Sequence, residues 1–126
     1  MSDMSNEKDL YELNLQAFNL YMQGKFQECL SLNDYIISLY PYHAYAYKGK
    51  GLSLVALGKT EEGIKCLQEA ITHNPHFFDA YHDLAIVLYE QGQTSLALEI
   101  LNKSTPNNPE EFLAKKNLVV FLTKEI

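Results

Sequence analysis

The 126-residue chain contains no arginine and no tryptophan. Its ten basic residues are all lysine, set against sixteen acidic ones, for a formal net charge of −6. That balance argues against nucleic acid as a partner. Counterion release needs a positive surface, and the forked readout of guanine favours arginine. An anionic membrane face would be repelled in the same way. No stretch approaches about 18 consecutive apolar residues, so no membrane insertion is expected. The start, MSDMSNEKDL, is polar and acidic and lacks the basic segment and apolar core of a secretory leader, which points to the cytoplasm. Cysteine is scarce: Cys29 and Cys66 stand far apart, with no metal or redox spacing. Both fall in apolar helical patterns, which favours small packing thiols over a disulfide or a sensor thiol.

What is present suits a globular chain. Hydrophobic residues make up 47% and charged residues 21%, too apolar for disorder and enough for one domain or one short array of repeats. Gly24, Gly58 and Gly92 recur every 34 residues, and so do Pro41, Pro75 and Pro109. Two independent breakers sharing one period mark a stacked array. The period defines units at 10–43, 44–77 and 78–111, a polar extension at 1–9 and a remaining segment at 112–126. These make a single domain over 10–126.

Each unit reads as two helices. Apolar residues recur at helical spacing between the breakers, as at Tyr81, Leu84, Ala85 and Leu88, then Ala97, Leu98 and Leu101. Glycine at the central turn can take a left-handed conformation, so that one helix stops and the next folds back. Pro41, Pro75 and Pro109 are expected to end the second helix of each unit and to suit the start of the next. Asp79 and the Glu110–Glu111 pair then lie in a first turn, where the helix dipole favours negative charge.

At these residues the sequence resembles the tetratricopeptide repeat family. Unit two carries Tyr47, Gly51, Leu54, Gly63, Leu67, Ala70 and Pro75, and unit three Tyr81, Leu84, Ala85, Leu88, Ala97, Leu101 and Pro109. Ala17, Gly51 and Ala85 on the first helices, with Cys29, Gly63 and Ala97 on the second, are small enough for close helix axes. Gln16, Lys50 and Asn33 depart from the family's apolar preferences, and Ile36 replaces a small residue, so unit one is the most divergent. The resemblance implies an all-α fold, a right-handed α-solenoid of three helix-turn-helix repeats with a C-terminal capping helix.

The resemblance also implies a concave surface, lined by first helices, that holds extended or helical peptides. Unit one would place there Tyr11, Asn14, Leu15, Phe18, Tyr21 and Met22. Unit two would place Tyr45, Lys48, Gly49, Leu52, Val55 and Ala56, and unit three Asp79, His82, Asp83, Ile86, Tyr89 and Glu90. Such a surface is aromatic and aliphatic at one end and acidic at the other, and that much apolar area calls for a partner. The competing reading is that several of these residues pack against the next repeat. A common use of the fold is clamping the acidic tails of heat-shock chaperones. The positions that matter for it hold Asn14, Phe18, Gly49, Asp79 and Asp83, none of the required type and two of the wrong sign. The implied ligand is a protein or peptide segment, apolar or aromatic, with some basic character toward unit three.

Nothing in the sequence supports catalysis or a cofactor. His73, His76, Asp79 and His82 recur every three residues, but Pro75 interrupts any common helical face, so turn histidines are favoured over a metal site. No nucleophile elbow or phosphate-binding glycine loop is present. In the last segment, Phe112, Leu113, Leu118, Val119, Val120, Phe121, Leu122 and Ile126 spread around the helical circumference, and a helix apolar all round is expected to be buried. A homodimer or partner interface through Leu113, Val120 and Phe121, or a merely apolar cap, would account for it. Two functions follow: a non-catalytic adaptor, or a small acidic chaperone of a type III-like secretion system holding an apolar segment of a secreted protein.

Overall fold

A computed structural model describes residues 3–126, with side chains from Asp9 onward. The described residues form seven helices: α1 (Asp3–Met22), α2 (Phe26–Leu39), α3 (Ala44–Ala56), α4 (Thr60–His73), α5 (Phe78–Glu90), α6 (Thr94–Asn102) and α7 (Pro109–Glu125). Successive helices pack as antiparallel hairpins, α1 on α2, α3 on α4 and α5 on α6, and the hairpins stack in order with α7 against α5 and α6. This is an α-solenoid of three hairpins and a C-terminal helix. α1 begins upstream of Leu10, so residues 3–9 are helical and continuous with the first repeat.

Two kinds of turn alternate. Within each hairpin the glycine has positive φ: 76° at Gly24, 84° at Gly58 and 80° at Gly92. Each closes the same pair of hydrogen bonds. Gly58 N–H donates to the Val55 carbonyl (3.0 Å) and Lys59 N–H to the Leu54 carbonyl (2.8 Å), and Gly24 with Lys25 and Gly92 with Gln93 repeat the pattern. These are Schellman stops, which satisfy carbonyls that the helix end leaves free. Between hairpins, Tyr40–His43 and Asn74–Phe77 form β-turns with proline second, closed by His43 N–H to Tyr40 O and Phe77 N–H to Asn74 O (both 3.1 Å). Pro41 and Pro75 therefore stop the preceding helix but stand in the turn rather than in α3 or α5. Their carbonyls are used as well. Tyr47 Oη donates to Pro41 O at 2.7 Å and Tyr81 Oη to Pro75 O at 3.0 Å.

The third hairpin departs from the expected pattern. α6 ends at Asn102 rather than at Pro109. Pro106 disfavours a helical Thr105, and the Ser104 hydroxyl donates to the Leu101 carbonyl at 2.6 Å. Lys115 of α7 then donates to Ser104 O at 2.6 Å, placing a cation at the negative end of α6. Pro109 is the first residue of α7. Asn108 caps that helix by accepting from Glu111 N–H at 2.8 Å, and the Glu111 carboxylate accepts from Asn107 N–H at 2.9 Å.

Small residues set the helix crossings. A Cβ on Gly63 would lie 2.6 Å from the Gly51 carbonyl oxygen, and one on Gly51 would lie 2.8 Å from that of Gly63. The first hairpin crosses at Ala17 and Cys29, whose thiol donates to the Ala17 carbonyl at 3.3 Å. Both cysteines are free and buried, and burial pushes the Cys66 thiol above its ordinary pKa. The largest apolar core joins the second and third hairpins to α7 through Leu67, Leu84, Leu88, Leu101 and Leu122. At ~1.5–3 kcal/mol for each buried leucine, this cluster is the main source of stability. The first hairpin has a thinner core: Ala17, Cys29, Ile36 and Ala46.

Candidate functional site

The first helices of the three hairpins enclose a groove of about 540 Å³. α1 contributes Asn14, Phe18, Tyr21 and Met22; α3 contributes Tyr45, Lys48, Gly49 and Leu52; α5 contributes Asp83, Ile86 and Glu90. These elements supply the walls because the glycine and proline turns keep α1, α3 and α5 on one side of the stack. Of the eighteen residues expected on the concave surface, thirteen line the groove: Asn14, Phe18, Tyr21, Met22, Tyr45, Lys48, Gly49, Leu52, Val55, Ala56, Asp83, Ile86 and Glu90.

The other five stand elsewhere. Tyr11 (69% exposed) and Leu15 (48%) lie outside the lining, on an exposed stripe of α1 that runs on to Phe18 and Met22 at the groove. Asp79 and His82 border a shallower depression of about 360 Å³ with Phe78, Asn108, Glu110 and Glu111. Tyr89 turns toward α7, where its ring meets Phe121 edge-on at 5.1 Å and its hydroxyl donates to Glu125 at 3.4 Å. Repeat position places it in the groove; packing against the last helix draws it away. Despite that contact Phe121 is still 44% exposed, and Phe112, Leu113 and Val120 are exposed on α7 with it. Only Leu122 of that helix is fully buried, so the burial expected from its all-round apolar pattern is absent from the single chain.

Electrostatics divide the groove. Lys48 lies 3.7 Å from Asp83 and 4.0 Å from Asp79, with its ammonium 5.6 Å from the centre of the Phe77 ring. Burial holds the Asp83 carboxyl above its usual pKa, a shift that Lys48 and His82 oppose. Burial also raises the Tyr21 phenol, and the negative charge of Asp83 across the groove adds to the effect. At the rim, Asn14 and His43 share a side-chain hydrogen bond (2.9 Å from Asn14 Nδ2 to His43 Nε2). His43 stacks on Tyr45, which packs on Phe77 at 4.5 Å, and burial keeps the His43 pKa below its ordinary value.

Periodicity does not point to three of the residues deepest in the groove. Ala17 and Cys29 form part of its floor, with Asn33 of α2. Asn33 sits where the family favours a large apolar side chain, and that departure is the only signal for it. Another departure, Lys50, is satisfied away from the groove by an ion pair of 2.7 Å with Asp34. His73 lies between Tyr42 and Tyr47 rather than among other ligating groups, with ring centres 5.6 and 4.7 Å away.

Stacked helical hairpins closed by a final helix, with a groove along the first helices, define a helical-repeat protein. The family model of the tetratricopeptide repeat matches residues 54–117, and the chain belongs to that family. No curated protein matches it. Among solved structures it is similar to the TPR2B domain of yeast Sti1, in a pHsp70 complex. The identity there is 20%, over 93% of this chain and 98% of that one, with a TM-score of 0.83. PcrH in complex with the chaperone binding region of PopD is 17% identical over 94% of each chain, with a TM-score of 0.82. The type III secretion translocator chaperone SycD of Yersinia enterocolitica is 20% identical over 95% of this chain and 88% of that one, with a TM-score of 0.78. These likenesses concern the fold. No helix among the described residues is long and apolar enough to cross a membrane.

Proposed function

We propose that the chain is a non-catalytic interaction module that binds a peptide segment of a partner protein in the groove between α1, α3 and α5. The observation that carries the reading is the exposed apolar wall of that groove: Phe18 is 60% and Met22 66% exposed, next to Tyr45 at 57%. Exposed aromatic anchors beside a preformed concavity are what a docked segment buries. The ligand is apolar or aromatic, with basic character near Asp83 and Glu90. An acidic tail is disfavoured, because Lys48 is already engaged by Asp79 and Asp83. Residues 10–126 act as one unit in this reading, and the setting is the cytoplasm.

The test uses peptides selected from a random library on the intact protein. Phe18→Asp together with Tyr45→Ala is expected to weaken their binding by about 2 kcal/mol or more, with helical content by circular dichroism unchanged. Undiminished binding overturns the groove reading.

A second reading is favoured by the likeness, over most of both chains, to PcrH bound to a region of PopD. It makes the chain a small acidic chaperone of a type III-like secretion system, holding an apolar segment of a secreted protein in the same groove. Binding of an unfolded secreted substrate, rather than a segment of a folded partner, separates the two. The exposed Leu113, Val120 and Phe121 of α7 extend the proposal to a homodimer or a partner interface. Light scattering on the native protein and on Val120→Glu tests the dimer, and a monomer in both overturns it.

A further inference from the structure

Among the described residues, Asn33 is the one polar side chain that reaches the groove from beneath its first helices. It lies on α2, is 2% exposed, and yet lines the groove. Its Nδ2 donates to the Cys29 carbonyl at 3.1 Å and lies 3.4 Å from the Cys29 thiol. A carbonyl oxygen requires a donor, so this bond fixes which end of the amide is which. Among the described residues none donates to the other end, Oδ1. The amide fits beneath α3 and reaches the groove because position 49 is glycine. A Cβ there would stand 2.7 Å from Asn33 Nδ2 and 3.0 Å from Oδ1. An aligned acceptor without a protein donor, on a residue 2% exposed, therefore lies in the groove floor beside Gly49.

We propose that Asn33 is a specificity-determining residue of the groove, accepting a hydrogen bond from a slender donor-tipped side chain of the bound peptide that enters over Gly49. The inference rests on the groove reading above and adds to it the chemistry of one ligand position. A wholly apolar segment would strip water from Oδ1 and return nothing, and a buried acceptor left unpaired is costly. A main-chain N–H cannot serve. Oδ1 is recessed in the floor, on a residue only 2% exposed, and an extended backbone would have to bring its flanking side chains down with it. The chemistry selected is an amide, hydroxyl or ammonium at the end of a side chain, flanked by apolar residues that rest on Phe18 and Leu52.

The probe is a random 16-residue peptide library displayed on phage, selected separately on the native protein, Asn33→Leu and Asn33→Ala. Peptides selected on the native protein should share one donor-tipped position. Replacing that residue by its apolar isostere should weaken binding to the native protein by about tenfold. It should leave binding to whichever asparagine variant keeps native helicity nearly unchanged. Peptides that Phe18→Asp abolishes but that carry no donor, and bind Asn33→Leu or Asn33→Ala as well as the native protein, overturn this inference and leave the groove reading standing. Peptides that ignore Phe18→Asp overturn both.

Discussion

α1 and α5 hold the same place in their repeats, and they treat their apolar residues in opposite ways. α5 buries seven of its thirteen residues, including Phe78, Tyr81, Leu84 and Leu88. α1 leaves Tyr11, Leu15, Phe18 and Met22 between 48% and 69% exposed, and of its described residues only Ala17 is buried. The cause is position in the stack. α5 is packed by α4, α6 and α7, whereas the described residues of α1 pack mainly on α2 and α3. A repeat array therefore concentrates stability where a helix has neighbours on several sides, and keeps apolar surface for contact where it does not. In this chain the C-terminal half carries the core, and the N-terminal hairpin offers the more adhesive surface.

The contrast can be broken most directly in the core. Leu67 is fully buried, in the cluster that joins the second and third hairpins. Leu67→Ala should lower stability by about 3 kcal/mol, read by urea denaturation with circular dichroism. A loss below about 1 kcal/mol would mean that this core is not where stability resides. Gly58 comes next, because its φ of 84° is strained for any residue with a Cβ. Gly58→Val should cost about 2 kcal/mol in the same measurement, with no change in the groove. Lys115 tests the attachment of α7. Removing its bond to Ser104 O in Lys115→Met should cost about 1 kcal/mol and speed hydrogen exchange in α6 and α7 before it does so in α1.

Acid sharpens the comparison, because the two ends titrate in opposite senses. Burial lowers the His43 pKa, so the fold favours its neutral form. The stability His43 confers is present above its ordinary value of 6.5 and is lost as pH falls from there through the folded value. Asp83 has its pKa raised by burial, so its contribution is complete below the ordinary 3.8 and is lost as pH rises through the folded value. Lowering the pH from 7 should therefore loosen the joint between α1 and α3, where Asn14 holds His43, while the surroundings of Asp83 tighten. Hydrogen exchange resolved by helix would read this, and His43→Gln should abolish the loosening below pH 6.5. The smallest effect on stability belongs to the exposed stripe. Phe18→Ala should change it by no more than about 0.5 kcal/mol, and a change as large as that of Leu67→Ala would erase the distinction between the two regions.

Features set by local stereochemistry are legible in the amino-acid sequence. The 34-residue period, the helical hairpins and the three left-handed glycines follow from where glycine and proline permit the backbone to turn, and the tyrosines of the repeat core follow from spacing. The groove is legible in outline, since thirteen of its seventeen lining residues are those that the family resemblance implies. What neighbouring helices decide is not. Tyr89 leaves the groove because α7 offers Phe121 and Glu125. Asn33 enters it because Gly49, on another helix, carries no side chain to displace its amide. α6 stops early because Ser104, Pro106 and Lys115 together complete its end. A single sequence determines which residues can lie on one face of a helix, because the helical repeat is a property of the backbone. Which of those faces meets a partner, and how deeply, depends on the side chains of helices distant in sequence, and only the packed solenoid brings them together.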